Sequence, residues 1–293
     1  MRLGFIGLGN MGSEMASHLL AAGHTISTYV RGERSRAHAD RLGLKLFSSA
    51  AEVAKVSEVV FTMVMAGSDV ESVALGSDGI IHGAAPGLIH VDMSTISPAT
   101  ARDVARRLSE RGTIMLDAPV SGGVAAAKSA SLTFFVGGEK TVFERVRPLL
   151  ETMGKTIFHM GPLGTGQVTK LANQIAQLAC LQGAAEALLF TREQGADPAK
   201  VREAVMTGMG ASRMLDELGK KMVERDFAAG IVAALHHKDI GVALELAHET
   251  DLPLPVTEQV MQQLNVLMDS GFGEQDTSAL LLVLEQTRSR KDR

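Results

Sequence analysis

Lys170, Asn173, Gln174 and Gln177 fall at i, i+3, i+4 and i+7, the spacing of one helix face. One cation with several amides on a shared face can hold a polar ligand and manage a proton. The plainer alternative is a stripe that bonds to neighbouring helices or meets water, and the residues before 161 decide between the two. The broken stretch Gly161-Pro162-Leu163-Gly164-Thr165-Gly166 comes first, with Thr165 as a candidate N-cap, and the run after it predicts a helix to about Arg192. Leu171, Ile175, Leu178, Ala179 and Leu181 cover much of the remaining circumference, so that helix is expected to be buried on several sides.

A second pattern opens the chain. Arg2 to Ile6 reads as an apolar strand, Gly7-Leu8-Gly9-Asn10-Met11-Gly12 follows, and a helical pattern runs through Leu20. In G-x-G-x-x-G the first glycine permits a tight turn, the second lets backbone approach a pyrophosphate, and the third lets helix and strand pack closely. The amides of the helix start then face phosphate charge. The next predicted strand, Thr25 to Val30, ends where such folds meet the adenosine ribose. There NAD sites usually carry an acid, and this chain has Val30-Arg31-Gly32-Glu33-Arg34 with Arg36 nearby. Guanidinium forks suit a 2′-phosphate, so Arg31 and Arg34 favour NADP, with NAD as the alternative.

The elements that must hold these groups alternate. Leu44 to Phe47, Val59 to Val64, Leu88 to Asp92, Ile114 to Asp117 and Leu132 to Val136 read as buried strands. Ser49 to Lys55, Ser68 to Leu75, Ser97 to Arg111 and Thr141 to Thr152 read as helices, and Thr156 to His159 closes the series. The fold class expected is α/β, an N-terminal doubly wound parallel sheet followed by an all-helical domain and joined to it by a long helix. Residues 1–162 would bind the dinucleotide and residues 163–293 would serve substrate and oligomerisation. Ligands of such sheets bind beyond the carboxyl ends of the strands, which places Met63-Val64-Met65 and Asp92-Met93-Ser94-Thr95 beside the cofactor. Ser121-Gly122-Gly123 exposes a hydroxyl and amides that can hold a carboxylate, or is an ordinary turn. Adjacent His236 and His237 do not share a helix face and have no acid at ligand spacing, so no metal site is expected.

Composition narrows the class of molecule. The 293 residues carry 29 basic and 33 acidic side chains, net −4, with no basic block, so nothing marks a nucleic-acid surface. Cys180 is the single cysteine, and no stretch of about 18 uninterrupted apolar residues occurs. A cytoplasmic protein without membrane or nucleic-acid partners is expected.

Taken in order, Gly4 to Gly12, Asp92 to Thr95, Asp117-Ala118-Pro119-Val120-Ser121-Gly122-Gly123, Gly161 to Gly166 with Lys170 to Gln174, and His237-Lys238-Asp239 resemble the β-hydroxyacid dehydrogenase family over essentially the whole length. That group contains 3-hydroxyisobutyrate dehydrogenase, tartronate semialdehyde reductase and the glyoxylate/succinic semialdehyde reductases. The resemblance implies an NAD(P)-dependent oxidoreductase acting on a small carboxylate substrate, a 3-hydroxy acid or its semialdehyde, as a homodimer or homotetramer. It makes Lys170 the catalytic residue. It gives substrate binding to Ser121, Gly122, Gly123, Thr95, Asn173 and Gln174. Cofactor binding falls to Gly7, Leu8, Gly9, Asn10, Met11, Gly12, Arg31, Arg34, Met63, Val64, Met65, Thr95 and Lys238. Met65-Ala66 departs from the Pro-Asn frequent in the family, and Gln174 stands where many members have Asn. An ordinary lysine titrates near pH ~10.4, so the base role requires burial or a neighbouring cation. An imine reductase shares the plan but typically lacks this lysine, and a dinucleotide-binding module without catalysis would have no need of it.

Overall fold

A computed structural model of the chain describes residues 1–228 and 230–291. It divides into two compact units, Met1–Lys170 and Leu171–Arg293. The first holds β1 (Arg2–Ile6), α1 (Gly12–Ala21), β2 (Thr25–Thr28), α2 (Glu33–Arg41), β3 (Lys45–Leu46), α3 (Ala50–Val56), β4 (Val59–Thr62), α4 (Gly67–Leu75), α5 (Ile80–Gly83), β5 (Ile89–Asp92), α6 (Pro98–Ser109), β6 (Ile114–Asp117), β7 (Val120–Ser121), α7 (Gly123–Lys128), β8 (Leu132–Gly137), α8 (Lys140–Leu150) and β9 (Gly154–Gly161). Its sheet runs β3-β2-β1-β4-β5-β6-β8-β7, with β9 beside β8.

Strands β1 to β6 pair in parallel, as the alternating pattern requires, whereas β8 runs antiparallel to β6 and β7, and β9 follows β8. The doubly wound parallel sheet thus gains antiparallel pairs at its far side. The reason is the connection: α7 is a single short helix, so the chain turns back at the sheet end it has just reached instead of crossing the length of a strand. Strands β2, β3 and β4 are also shorter than expected, and Tyr29, Val30, Met63 and Val64 lie beyond the ladder.

Pleating sorts the strand residues between two cores. Leu3, Phe5, Val59, Phe61, Ile89 and Val91 pack with α1 side chains such as Met15 and Leu19. Ile6 and Val60 pack on the other face with Val53, Val70, Val104 and Leu108. On that second face Thr62, His90 and Asp92 continue the same alternation and bring polar groups into the interior, all of them fully buried.

Helix α9 (Thr165–Glu193) starts in the first unit and continues into the second, where α10 (Pro198–Val205), α11 (Arg213–Glu224), α12 (Ala233–Glu249), α13 (Pro255–Asp269) and α14 (Leu280–Lys291) follow. No strand occurs there among the described residues. Its core joins Leu181 and Leu188 of α9 to Leu218 of α11, Ile240 of α12, Leu264 of α13 and Val283 of α14. One side of α9 departs from the expected burial: Val168, Ala172, Ala176, Cys180, Ala187 and Phe190 are exposed at helical spacing, Phe190 to 67%.

The start of α9 is not capped as expected either. Thr165 is already helical and its hydroxyl donates to Pro162 O at 2.7 Å. The anchoring acceptor is Asp117 at the end of β6, whose carboxylate takes Gly164 N–H at 2.7 Å and Gln167 N–H at 2.8 Å. A negative group suits the first turn, where amides lack partners and the helix dipole is positive. Glycines leave the room for it: a Cβ at Gly137 would lie 2.4 Å from Asp117 Oδ1, and one at Gly166 would lie 2.3 Å from Phe135 O. Replacing the anchor strands two buried amides, each worth about 1–3 kcal/mol. Asp117→Ala should therefore lower the unfolding free energy by about 2–6 kcal/mol in urea titrations, with an unchanged m-value.

Candidate active site

The carboxyl ends of the parallel strands stand side by side. Met63 N–H donates to Ile6 O at 2.9 Å, Met93 N–H to Thr62 O at 2.8 Å, and Ala118 N–H to Asp92 O at 2.6 Å. The glycine turn, Met63 to Met65, Ser94-Thr95 and the segment leading to Ser121 thus emerge at one sheet end. The strand order reverses between β1 and β4, where a doubly wound sheet opens a crevice.

The glycine turn has the geometry its spacing predicts. Gly7 adopts φ +101°, and a Cβ there would meet Met63 O at 2.1 Å; one at Gly12 would meet Gly7 O at 2.0 Å. A Cβ at Gly9 would meet nothing within 4 Å, so the second glycine faces open space over the start of α1, and no side chain caps that helix. Open backbone beside an uncapped helix start fits a pyrophosphate. Two contacts that the sequence reading missed hold the turn. His38 Nδ1 lies 2.8 Å from Leu8 O, and Arg34 Nη2 donates to Asn10 Oδ1 at 2.5 Å. Arg31, just beyond β2, forms a 2.7 Å ion pair with Asp69 of α4 and remains 55% exposed.

Thr95 is half-buried between two main-chain groups, Ser94 O and Ile96 N–H, that bond to the Gln167 side chain. Lys170, one turn further along α9, is only 8% exposed. Ser121 ends β7, Gly122 has φ +127° and Gly123 starts α7 with φ +63°. The expected loop is thus a strand passing through two left-handed glycines into a short helix. In the second unit Gln174 donates to Asp239 Oδ2 at 2.6 Å, and Asn173 Nδ2 reaches Gln174 Oε1 and Gln177 Oε1, each at 3.1 Å. An α12 carboxylate thus joins the amide stripe there. Lys238 pairs with that same Asp239 at 3.0 Å. His236 and His237 bond instead to Thr277 and Asn265. No group of three or more His, Cys, Asp or Glu among the described residues could hold a metal, and no helix among them is long and apolar enough to cross a membrane.

Two family models match the chain in succession. The NAD binding domain of 6-phosphogluconate dehydrogenase matches residues 2–161. The NAD-binding domain of NADP-dependent 3-hydroxyisobutyrate dehydrogenase matches residues 164–284. The 2-hydroxy-3-oxopropionate reductase of Escherichia coli (strain K12) is 41% identical over 294 residues, 99% of each chain. The chain belongs to the β-hydroxyacid dehydrogenase family. A solved 3-hydroxyisobutyrate dehydrogenase of Mycobacterium tuberculosis with L-serine superposes with a TM-score of 0.89 at 30% identity, over 97% of this chain and 98% of that one. A solved chain in complex with NADP+ and 2-OPP superposes at 0.87 with 25% identity, over 96% and 99%. The protein is therefore an NAD(P)-dependent oxidoreductase of the 3-hydroxyacid dehydrogenase type, and its cofactor is a nicotinamide dinucleotide.

Beneath the site of this dehydrogenase lies a buried polar network that spacing alone did not reveal. Asp92 Oδ1 accepts from Thr62 Oγ1 at 2.7 Å and from the Ser94 hydroxyl at 2.7 Å, while Ser94 Oγ accepts Val64 N–H at 3.0 Å. Thr62 spends its proton on Asp92, so its oxygen takes the proton of His90 Nε2, 2.9 Å away. Asp92 Oδ2 and His90 Nδ1 have no hydrogen-bond partner among the described residues. An aspartate inside an apolar strand was the available signal. Burial raises its carboxyl from 3.8 to about 6 and lowers the His90 imidazole from 6.5 to about 4.

The two shifts act on stability in opposite senses. Between pH 3.8 and about 6 the folded chain keeps a proton on Asp92 that the unfolded chain has lost, so this group costs stability as pH rises. Between about 4 and 6.5 the unfolded chain protonates His90 and the folded chain does not, so that group adds stability as pH rises. Asp92→Asn keeps an oxygen for Thr62 and Ser94 and removes the first titration. Its unfolding free energy relative to the native chain should gain about 3 kcal/mol between pH ~4 and ~6 and then level off. Urea titrations at a series of pH values measure this, and a constant difference would show that Asp92 titrates normally.

Proposed function

We propose that the protein transfers a hydride between NADP(H) and a small 3-hydroxy acid or its semialdehyde, of the 2-hydroxy-3-oxopropionate (tartronate semialdehyde) or 3-hydroxyisobutyrate type. The observation that carries this reading is Lys170: a buried lysine, on the helix whose first turn is bonded through Gln167 to the main chain around Thr95, at the carboxyl ends of the strands. The nicotinamide supplies or accepts the hydride at the substrate carbon. Lys170 donates a proton to the carbonyl oxygen in reduction and takes it back from the hydroxyl in oxidation. Ser121, with the amides of Gly122 and Gly123, holds the carboxylate, and Thr95 stands between substrate and nicotinamide. Gly7 to Gly12 receive the pyrophosphate, and Met63, Val64 and Met65 line the cofactor beyond it. The ligand roles of Asn173, Gln174 and Lys238 rest on the family resemblance alone. Glyoxylate or succinic semialdehyde is the alternative substrate.

Preference for NADP is supported by Arg31 and Arg34 and by the absence of an acid at Val30. Arg31, exposed in its ion pair with Asp69, can turn to a 2′-phosphate. Assays with NADPH and NADH against glyoxylate and against succinic, tartronate and methylmalonate semialdehydes should give the higher kcat/KM with NADPH and with tartronate or methylmalonate semialdehyde. Higher kcat/KM with NADH would reverse the cofactor assignment.

Lys170→Ala should lower kcat by about 10²- to 10⁴-fold, the usual contribution of a positioned acid or base, with the NADPH dissociation constant little changed. Ser121→Ala should mainly raise KM. A lysine that only binds the carboxylate would show the reverse for Lys170→Ala, a raised KM with kcat kept.

The working form we infer is a cytoplasmic homodimer or homotetramer, with the helical unit serving assembly. The exposed apolar side of α9, where Val168 is 50% and Phe190 67% accessible, supports this, since a second copy would remove it from water. Sedimentation at micromolar concentration should show a dimer or tetramer, and Phe190→Asp should shift it toward monomer.

A further inference from the structure

Gln167 is fully buried and has no part in the chemistry so far described. Both polar atoms of its amide are nevertheless bonded. Oε1 accepts Ile96 N–H at 3.1 Å and Nε2 donates to Ser94 O at 2.8 Å, so one side chain grips the backbone on both sides of Thr95. Its own N–H donates to Asp117 Oδ2 at 2.8 Å, which fixes the helix turn from which it projects. The segment it grips lies past the end of β5, where no strand pairing holds the chain. Ser94 is tied in addition to Asp92 and to Val64 N–H.

Gln167 and Lys170 are three residues apart on α9, so their side chains leave neighbouring points of one face, separated by about 4.5 Å of rise. A buried amide is costly unless its polar atoms find partners, and here one main-chain carbonyl and one main-chain N–H meet its nitrogen and its oxygen. The partners could have been any polar atoms. They are the two flanking Thr95.

We propose that Gln167 is a positioning residue: it clamps the Ser94–Ile96 backbone to the first turn of α9 and so sets the placement of Thr95 relative to Lys170. This deepens the proposed function and rests on its assignment of the proton to Lys170. A shift of about 1 Å between groups that flank a reacting centre can cost on the order of 10²-fold in rate, so a clamp of this kind acts on kcat without touching either ligand.

The test uses the full chain. Gln167→Met keeps the volume and removes both bonds; Gln167→Asn keeps the amide but retracts it by one methylene, and serves if the methionine variant does not fold. Each is made alone and together with Lys170→Ala. Three results are expected. In the native background kcat falls about 10- to 100-fold, with NADPH affinity within about threefold of native. In the Lys170→Ala background the same substitution costs less than about threefold, because residues that act as a unit are not additive. Without cofactor, hydrogen exchange at the Ile96 amide speeds up.

Native kcat in both Gln167 variants, with Lys170→Ala crippled, overturns the clamp and leaves the function standing. An equal loss in both backgrounds also overturns it, because a general packing defect would not depend on Lys170. Near-native kcat in Lys170→Ala alone removes the proton assignment, and the clamp proposal falls with it.

Discussion

The Asp117 carboxylate beneath the first turn of α9 is the contact on which the rest of the site depends. A helix start buried against a sheet must find acceptors for its leading amides, and those of Gly164 and Gln167 find one carboxylate at the end of β6. That placement determines where α9 sets out, and hence where Gln167 and Lys170 point. Burial keeps the Asp117 carboxyl above its usual range even though two amides donate to it, so the anchor works against a desolvation cost. Gly137 and Gly166 are the local condition for it, because a methyl at either place would occupy space taken by that carboxylate or by strand backbone.

From this anchor a continuous set of bonds crosses the strand ends. Gln167 joins α9 to Ser94 and Ile96, Ser94 joins Val64 to Asp92, and Thr62 joins Asp92 to His90. Buried polar groups are tolerated when their bonds are complete, and this set is complete except at Asp92 Oδ2 and His90 Nδ1. Both atoms belong to groups that burial drives toward the neutral form, and a neutral acid and a neutral imidazole are the cheapest way to leave those positions bare. The network thus ties the segments beside the glycine turn to the strand ends, while burial disfavours the charged form of both groups.

Local rules made much of this legible in advance. The glycine turn between a strand and a helix, the helix from about Ser97, the long helix from Thr165 and the absence of strands beyond it among the described residues all follow from short-range sterics and period. The polar stripe was legible from Lys170 onward, and Gln167 extends it three residues back along the same face. What the stripe meets was not. The carboxylate of Asp239, 65 positions away in the chain, receives Gln174.

The sequence by itself determined that the chain opens with a dinucleotide-type turn, that strands and helices alternate to about residue 161, and that a lysine and amides share a helix face, because each rests on backbone conformation or on spacing within one element. Only the tertiary structure decided which acid anchors α9, that β8 turns back antiparallel, that Arg31 rests on Asp69, and that Gln167 brackets Thr95. The side-chain contacts among them join residues 38 to 73 positions apart. Periodicity says which face a side chain takes but not which distant atom waits there; that is settled when the packed strands bring their ends together and every buried donor must find an acceptor.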